Sequence, residues 1–145
     1  MIKVYFSPGP DCLNAITETL RSAKNNVEIC VFTISDNRIV DTLKDLFYSG
    51  ITIKIISDND KRYDTGNDID YLADLGIQIK LDTTTAHMHH KFAVIDEKYT
   101  ITGSYNWTRS AESENYENVL ITDNKDVAKA YNKEFNKLWK ITEEI

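Results

Sequence analysis

His89-His90-Lys91-Phe92-Ala93-Val94-Ile95-Asp96 runs through Glu97-Lys98 into Tyr99-Thr100-Ile101-Thr102-Gly103-Ser104-Tyr105-Asn106. Residues 90–96 and 99–103 are β-prone segments separated by a two-residue polar turn, which is the pattern of a hairpin. Upstream of it, strand and helix periods alternate. Residues 2–6, 27–33, 51–57 and 77–81 read as strands. Between the first three lie two amphipathic helices. One is capped by Asp11 with Leu13, Ile16 and Leu20 inward; the other runs from about Asp36 to a stop at Gly50. A short helix over residues 69–75 precedes the strand at 77–81, a strand over 117–122 follows the hairpin, and a last helix runs from Asp123 or Asn124 to about Ile141. Strand–helix–strand order argues for parallel pairing by crossover connections. The expected architecture is therefore α/β: a mixed, largely parallel central sheet with helices on both faces.

The chain has 145 residues, 41% hydrophobic and 28% charged, which suits one catalytic domain over 1–145 and excludes intrinsic disorder. No apolar run reaches membrane-span length and no secretory leader is visible, so a cytoplasmic location is expected. Two cysteines, Cys12 and Cys30, make neither a disulfide framework nor a zinc motif. The net charge of −6 excludes a globally basic nucleic-acid binder but not a local basic cleft. Residues 1–86 carry −4 and 112–145 carry −3, while 87–111 carry +1 and hold all three histidines.

Within that segment, His89 and Lys91 stand two apart on a strand and share a face. Such a pair sets a group that titrates near neutrality beside a fixed cation. Phosphoryl chemistry needs both, one as nucleophile or proton carrier and one to hold non-bridging oxygens. The hairpin returns the chain to Ser104 and Asn106, again two apart, whose hydroxyl and amide can complete an anion cradle beside Lys91.

His89-x-Lys91-x4-Asp96-x6-Gly103-Ser104-x-Asn106 resembles the HKD signature of the phospholipase D superfamily. Phe6-Ser7-Pro8, Ala23-Lys24, Phe32-Thr33, Ile51-Thr52-Ile53-Lys54 and Asn115-x-Glu117-Asn118 extend the resemblance along the chain. They point to the small single-motif branch of compact bacterial endonucleases and of mitochondrial cardiolipin hydrolases and piRNA-pathway nucleases.

The resemblance implies catalysis through a covalent phosphohistidine, with no metal and no other cofactor. Two motifs meet in such a site, so a one-motif chain is expected to act as a symmetric homodimer. It further implies His89 as nucleophile and, from the partner protomer, as general acid. Lys91, Asn106 and Ser104 become phosphate holders, and Glu117 a carboxylate fixing the His89 tautomer. Asp96 and Gly103 become structural members of the motif.

Other residues weigh less. Tyr105 and Trp107 could stack on unpaired bases, and Arg109, Lys61 and Arg62 could contact substrate phosphates. His87 and His90 read as structural or groove-lining. Three histidines so close also fit a metal patch, though no cysteine accompanies them. The acidic loop at 58–64 fails as a calcium loop, because Arg62 and Ile69 stand where oxygen ligands are required. Lys125, Lys129, Lys133, Lys137 and Lys140 recur along the last helix as a solvated face opposite Val127, Tyr131, Phe135 and Trp139.

The functional expectation is a metal-independent nuclease acting on DNA or RNA. A phospholipase D-type lipid phosphodiesterase, meeting membrane lipid, is the alternative, since it uses the same residue types. A partner-controlled or non-catalytic nucleic-acid-binding module is a further one.

Overall fold

The computed structural model describes residues 1–145. In chain order the elements are β1 (Ile2–Phe6), α1 (Asp11–Arg21), β2 (Asn26–Val31), α2 (Asn37–Tyr48), β3 (Thr52–Ser57), α3 (Ile69–Asp74) and β4 (Gln78–Leu81). There follow β5 (Lys91–Ile95), β6 (Tyr99–Gly103), α4 (Arg109–Ser113), β7 (Asn118–Thr122), α5 (Lys125–Ile141) and β8 (Glu143–Glu144). All eight strands join one sheet in the order β1-β7-β6-β5-β2-β3-β4-β8.

The mixed α/β architecture is as expected, but the sheet is mostly antiparallel. Only β2·β3 and β3·β4 are parallel. The remaining pairs run antiparallel. Crossover helices do generate parallel neighbours where α2 and α3 intervene. The first unit does not, because β7, β6 and β5 insert between β1 and β2. Strand–helix–strand order fixes the direction of β1 relative to β2, not their adjacency.

Alternation along the strands divides the core. Val27, Ile29, Val31, Ile53, Ile55, Ile101, Val119 and Ile121 face one way and pack with Leu13, Ile16 and Leu20 of α1, Ile39 and Leu43 of α2, Leu72 of α3 and Ala111 of α4. Cys30, Ile56, Phe92 and Val94 face the other way and pack with Ala128 and Phe135 of α5. Helices thus cover both faces, four against one. The lysines of α5 lie mainly on its solvent side, while Tyr131, Leu138 and Trp139 pack inward.

The helix ends follow local chemistry, with one departure from the sequence reading. Asp36 caps α2 by accepting from Arg38 N at 2.9 Å, and Asn124 caps α5 by accepting from Asp126 N and Val127 N. Asp11 does not cap α1. It is the first helical residue, Pro10 occupies the cap position, and the Asp11 carboxylate lies in the first turn where the helix dipole favours it.

The hairpin turn is held from outside. Asp96 accepts from Lys24 N and Asn25 N at 2.8 Å and from Asn26 N at 3.0 Å. It therefore ties the β5–β6 turn to the start of β2. No helix of the chain is long and apolar enough to cross a membrane.

Candidate active site

Because β5 runs antiparallel to β2, its entry lies beside the exit of β2, with Val31 opposite Lys91. Phe32 N donates to His90 O at 3.1 Å, continuing that pairing one step beyond the strands. The exit of β6 and the entry of β7 reach the same end of the sheet, and Ser104 N donates to Asn118 O at 3.1 Å. The chain must come close here. A Cβ at Gly103 would stand 2.1 Å from the Asn118 carbonyl oxygen, so only glycine fits. Ser7, just after β1, locks the rim. Its N–H donates to Glu117 O, and its Oγ donates to Asn115 O at 2.8 Å and accepts from Glu117 N at 3.1 Å.

Two pairs of side chains result. Lys91 Nζ lies 2.8 Å from His89 Nδ1 and donates to the His89 carbonyl, also at 2.8 Å. Ser104 Oγ donates to Glu117 Oε1 at 2.9 Å and accepts from Asn118 N at 3.1 Å. Under the first pair lies Phe32, a residue noted in the sequence only for its place in the resemblance. Its ring centre is 4.6 Å from that of His89 and 5.3 Å from that of His87. The ammonium groups of Lys61 and Lys91 approach the same ring, at 5.2 and 5.5 Å. An aromatic residue at a strand exit carries no signal that it supports a histidine many residues away, which is why it went unread.

The electrostatics favour a neutral imidazole. Burial, the Lys91 ammonium and the neighbouring His87 push the His89 pKa below its ordinary value, against a smaller opposing pull from Asp58. Burial also lowers the Lys91 pKa, while Glu117 pulls it back up. Glu117 and Lys91 thus sense each other, although no hydrogen bond joins them.

Within the chain Glu117 bonds Ser104, and the His89 ring meets Lys91. Two sequence readings are corrected. Tyr105 and Trp107 are 2% and 1% exposed and belong to the core under α1 and α4, so they offer no face to a base. Arg62 is engaged with Asp70 of α3 at 3.0 Å and over the ring of Tyr63 in its own loop. Lys61 also pairs with Asp64 at 3.1 Å but borders the site through Phe32. Arg109 is exposed as the first residue of α4. Asn106 lies beyond β6 with a buried side-chain oxygen lacking any hydrogen-bond partner, and it bonds neither His89 nor Lys91. The exposed aromatic rings here are Tyr116, 91% exposed beside Glu117, and Tyr63 in the Lys61 loop.

A His-x-Lys pair at a strand entry, facing solvent beside a Ser–Glu pair on adjoining strand ends, defines an α/β protein built round the HKD constellation. The chain belongs to the phospholipase D superfamily, in its small single-motif branch: residues 16–139 match the family described as cardiolipin synthase, PLD-like domain. It is 41% identical over 134 residues to a mitochondrial cardiolipin hydrolase of Chlamydomonas reinhardtii, covering 92% of this chain and 60% of that protein. It is 33% identical to the human mitochondrial cardiolipin hydrolase, covering 90% of this chain and 52% of that one. The chain thus spans about 60% or less of these curated relatives. In fold it is similar to Nuc, a phospholipase D family member from Salmonella typhimurium (TM-score 0.93, 22% identity, 100% of this chain and 97% of that one). It is also similar to NucT from Helicobacter pylori (TM-score 0.88, 24% identity, all of both chains).

Proposed function

We propose that the chain is a phosphodiesterase domain working through a phosphohistidine on His89, and that its substrates are nucleic acids. The observation that carries the reading is the contact between His89 Nδ1 and Lys91 Nζ at an open strand entry, with the His89 pKa lowered. A neutral imidazole beside a fixed cation is what attack on an anionic phosphodiester requires.

In this arrangement Lys91 donates to Nδ1, so the neutral ring carries its proton on Nε2. Attack through Nε2 needs the other tautomer. An entering phosphate that draws Lys91 Nζ onto its own oxygens frees Nδ1 and permits it. Ser104 and Asn106 supply further donors at the neighbouring strand ends. The Asn106 amide has its oxygen buried without a hydrogen-bond partner. Glu117 orients Ser104 and adds its charge near Lys91.

One chain supplies one motif histidine, and the reaction uses two, so the working form is a homodimer. His89 of one protomer attacks phosphorus, forming the N–P bond as the P–O bond to the leaving alcohol breaks. The partner's His89 gives that oxygen a proton, then takes one from water as the water attacks the phosphohistidine. The products are an alcohol and a phosphate monoester, and neither step calls for a metal. Exposed Tyr116 and Tyr63 and exposed Arg109 favour a single-stranded polymer laid across an open rim.

A second reading has its own support. The curated relatives at 33–41% identity cited above are named cardiolipin hydrolases, and the same chemistry cleaves a lipid phosphodiester. The test is hydrolysis of labelled single- and double-stranded DNA, of RNA and of cardiolipin vesicles, all in excess EDTA, with His89→Ala alongside. Polymer cleavage that vanishes in the variant supports the nuclease. Vesicle hydrolysis alone moves the substrate to lipid. Turnover that survives His89→Ala overturns the phosphohistidine.

A further inference from the structure

A second cluster of polar side chains lies beside the catalytic pair, where the loop after β3 meets the approach to β5. Asp58 follows directly on β3 and is fully buried. Its Oδ1 accepts from Met88 N at 2.9 Å, which pins the segment carrying His87 and His89 to the end of β3. Its Oδ2 is buried too, yet has no hydrogen-bond partner. A carboxylate oxygen cut off from both water and donors has lost its solvation without compensation, and such an atom in a folded protein calls for a ligand.

Two further donors converge on this carboxylate. His87 Nδ1 lies 3.4 Å from Asp58 Oδ1 and 3.8 Å from Asp60 Oδ2. One ligand atom from each of the three residues falls within 4.8 Å of the others. In a tetrahedral zinc site with bonds of about 2.0–2.2 Å, neighbouring ligand atoms stand about 3.3–3.6 Å apart. The His87–Asp58 spacing falls in that range, and the His87–Asp60 spacing is slightly wider. His87 and Asp60 are both exposed, which leaves an entry path. One imidazole with two carboxylates suits zinc, whereas calcium wants six to eight oxygens that this cluster does not offer.

We propose that Asp58, Asp60 and His87 form a divalent-cation site of the zinc class, and that zinc bound there recruits His89 as a fourth ligand and withdraws it from catalysis. The second half rests on the role given to His89 above. Two imidazoles on one tetrahedral zinc have ring centres about 5 Å apart. The centres of His87 and His89 are 6.4 Å apart, a separation closed by a side-chain rotation. A ring nitrogen bound to zinc has no lone pair left for phosphorus. The proposed enzyme needs no metal for turnover and is switched off by one.

The test is a calorimetric titration of the metal-free full chain with zinc chloride, together with NMR of the histidine side chains. The expected result is one zinc per chain, with the His87 and His89 ring signals shifting together. Binding weakens at least tenfold in Asp60→Asn and in His87→Ala, neither of which removes the buried Asp58. In hydrolysis assays, zinc inhibits the wild type at least tenfold, whereas Asp60→Asn keeps the wild-type rate in EDTA and resists zinc, and His87→Ala loses the zinc inhibition relative to its own rate in EDTA. Zinc binding unaltered by Asp60→Asn and His87→Ala overturns the site. Binding with the His89 ring signal unmoved, or with hydrolysis undiminished, overturns the switch. Failure of the phosphodiesterase reading is separately visible as no hydrolysis in EDTA, and it leaves the calorimetry and NMR to decide the site.

Discussion

The ammonium of Lys91 lies 2.8 Å from His89 Nδ1, so the cation proposed to hold phosphate also adds to the lowering of the pKa of the proposed nucleophile. Burial, Lys91 and His87 all favour neutral His89. In a dimer with one neutral and one protonated histidine, the apparent pKa values belong to the pair. The acid limb reports protonation of the attacking ring, and its midpoint is expected below the ordinary histidine value of about 6.5.

Removal of the cation reverses the shift. In Lys91→Met the acid limb moves to higher pH, because a repulsion that disfavoured imidazolium is gone. The rate at its optimum falls by about 10²–10³, the usual loss on removing one donor from a developing oxyanion. The pH–rate profile of bis(p-nitrophenyl) phosphate hydrolysis in EDTA measures both. A limb that stays in place when Lys91 is removed would sink the coupling.

Asp96 should matter for stability rather than chemistry. Burial raises its pKa, but backbone N–H bonds from Asn26, Lys24 and Asn25 outweigh that, and the carboxyl sits below its usual range. A depressed folded-state pKa means the stabilisation is complete above the unfolded value of about 3.9 and is lost as pH falls through the folded one. Asp96→Ala is expected to cost about 3 kcal/mol at pH 7, on the scale of bonds to a charged acceptor. Urea unfolding at neutral pH and again well below the ordinary carboxylate range should show a smaller gap at the acid end. An equal gap at both pH values would show that the charge plays no part.

How much of this was legible in the chain depends on distance. The β5–β6 hairpin and the pairing of His89 with Lys91 are local, and period-2 spacing with one turn reveals them; the Asp96 anchor reaches back to Lys24, Asn25 and Asn26, and only the resemblance pointed to it. The insertion of β5, β6 and β7 between β1 and β2 is not local, and no stretch of sequence encodes who sits beside whom. Hence a sheet read as largely parallel proves mostly antiparallel. The meeting of Asp58 with His87 is hidden for the same reason, since it depends on the exit of β3 and the approach to β5 sharing one end of the sheet. Alternation continues past Gly103, with Ser104 exposed, Tyr105 buried, Asn106 half-buried and Trp107 buried, so the spacing that sets Ser104 and Asn106 on one face already sets Tyr105 and Trp107 on the other. The structure buries both, with Trp107 O accepting from Ser35 N and Asp36 N.

That burial gives Trp107 a testable role different from base stacking. Trp107→Ala is expected to destabilise the fold by about 3–5 kcal/mol, the range for emptying a buried aromatic site. Trp107→Phe should recover most of that loss, because it restores apolar volume. In both, substrate KM measured well below the unfolding midpoint should stay within about twofold, since Trp107 reaches no substrate, and a twofold change is only about 0.4 kcal/mol. A KM raised tenfold with stability intact would return Trp107 to the substrate surface.

Gly103 provides the sharpest structural test of the site. With a Cβ only 2.1 Å from Asn118 O, Gly103→Ala cannot be accommodated without parting β6 from β7. The parted strands carry Ser104 on one side and Glu117 on the other, so the Ser104–Glu117 bond opens with them. Overpacking of this kind costs about 1–3 kcal/mol. Activity should fall by more than that loss of stability explains, because Ser104 is proposed to hold phosphate and Glu117 to orient it. Ser104→Ala separates the two effects: it removes the hydroxyl and leaves the backbone in register, with the folded state nearly unchanged. If Gly103→Ala folds and turns over like the wild type, β6 and β7 tolerate a separation that this packing forbids, and the placement of Ser104 at the site fails with it.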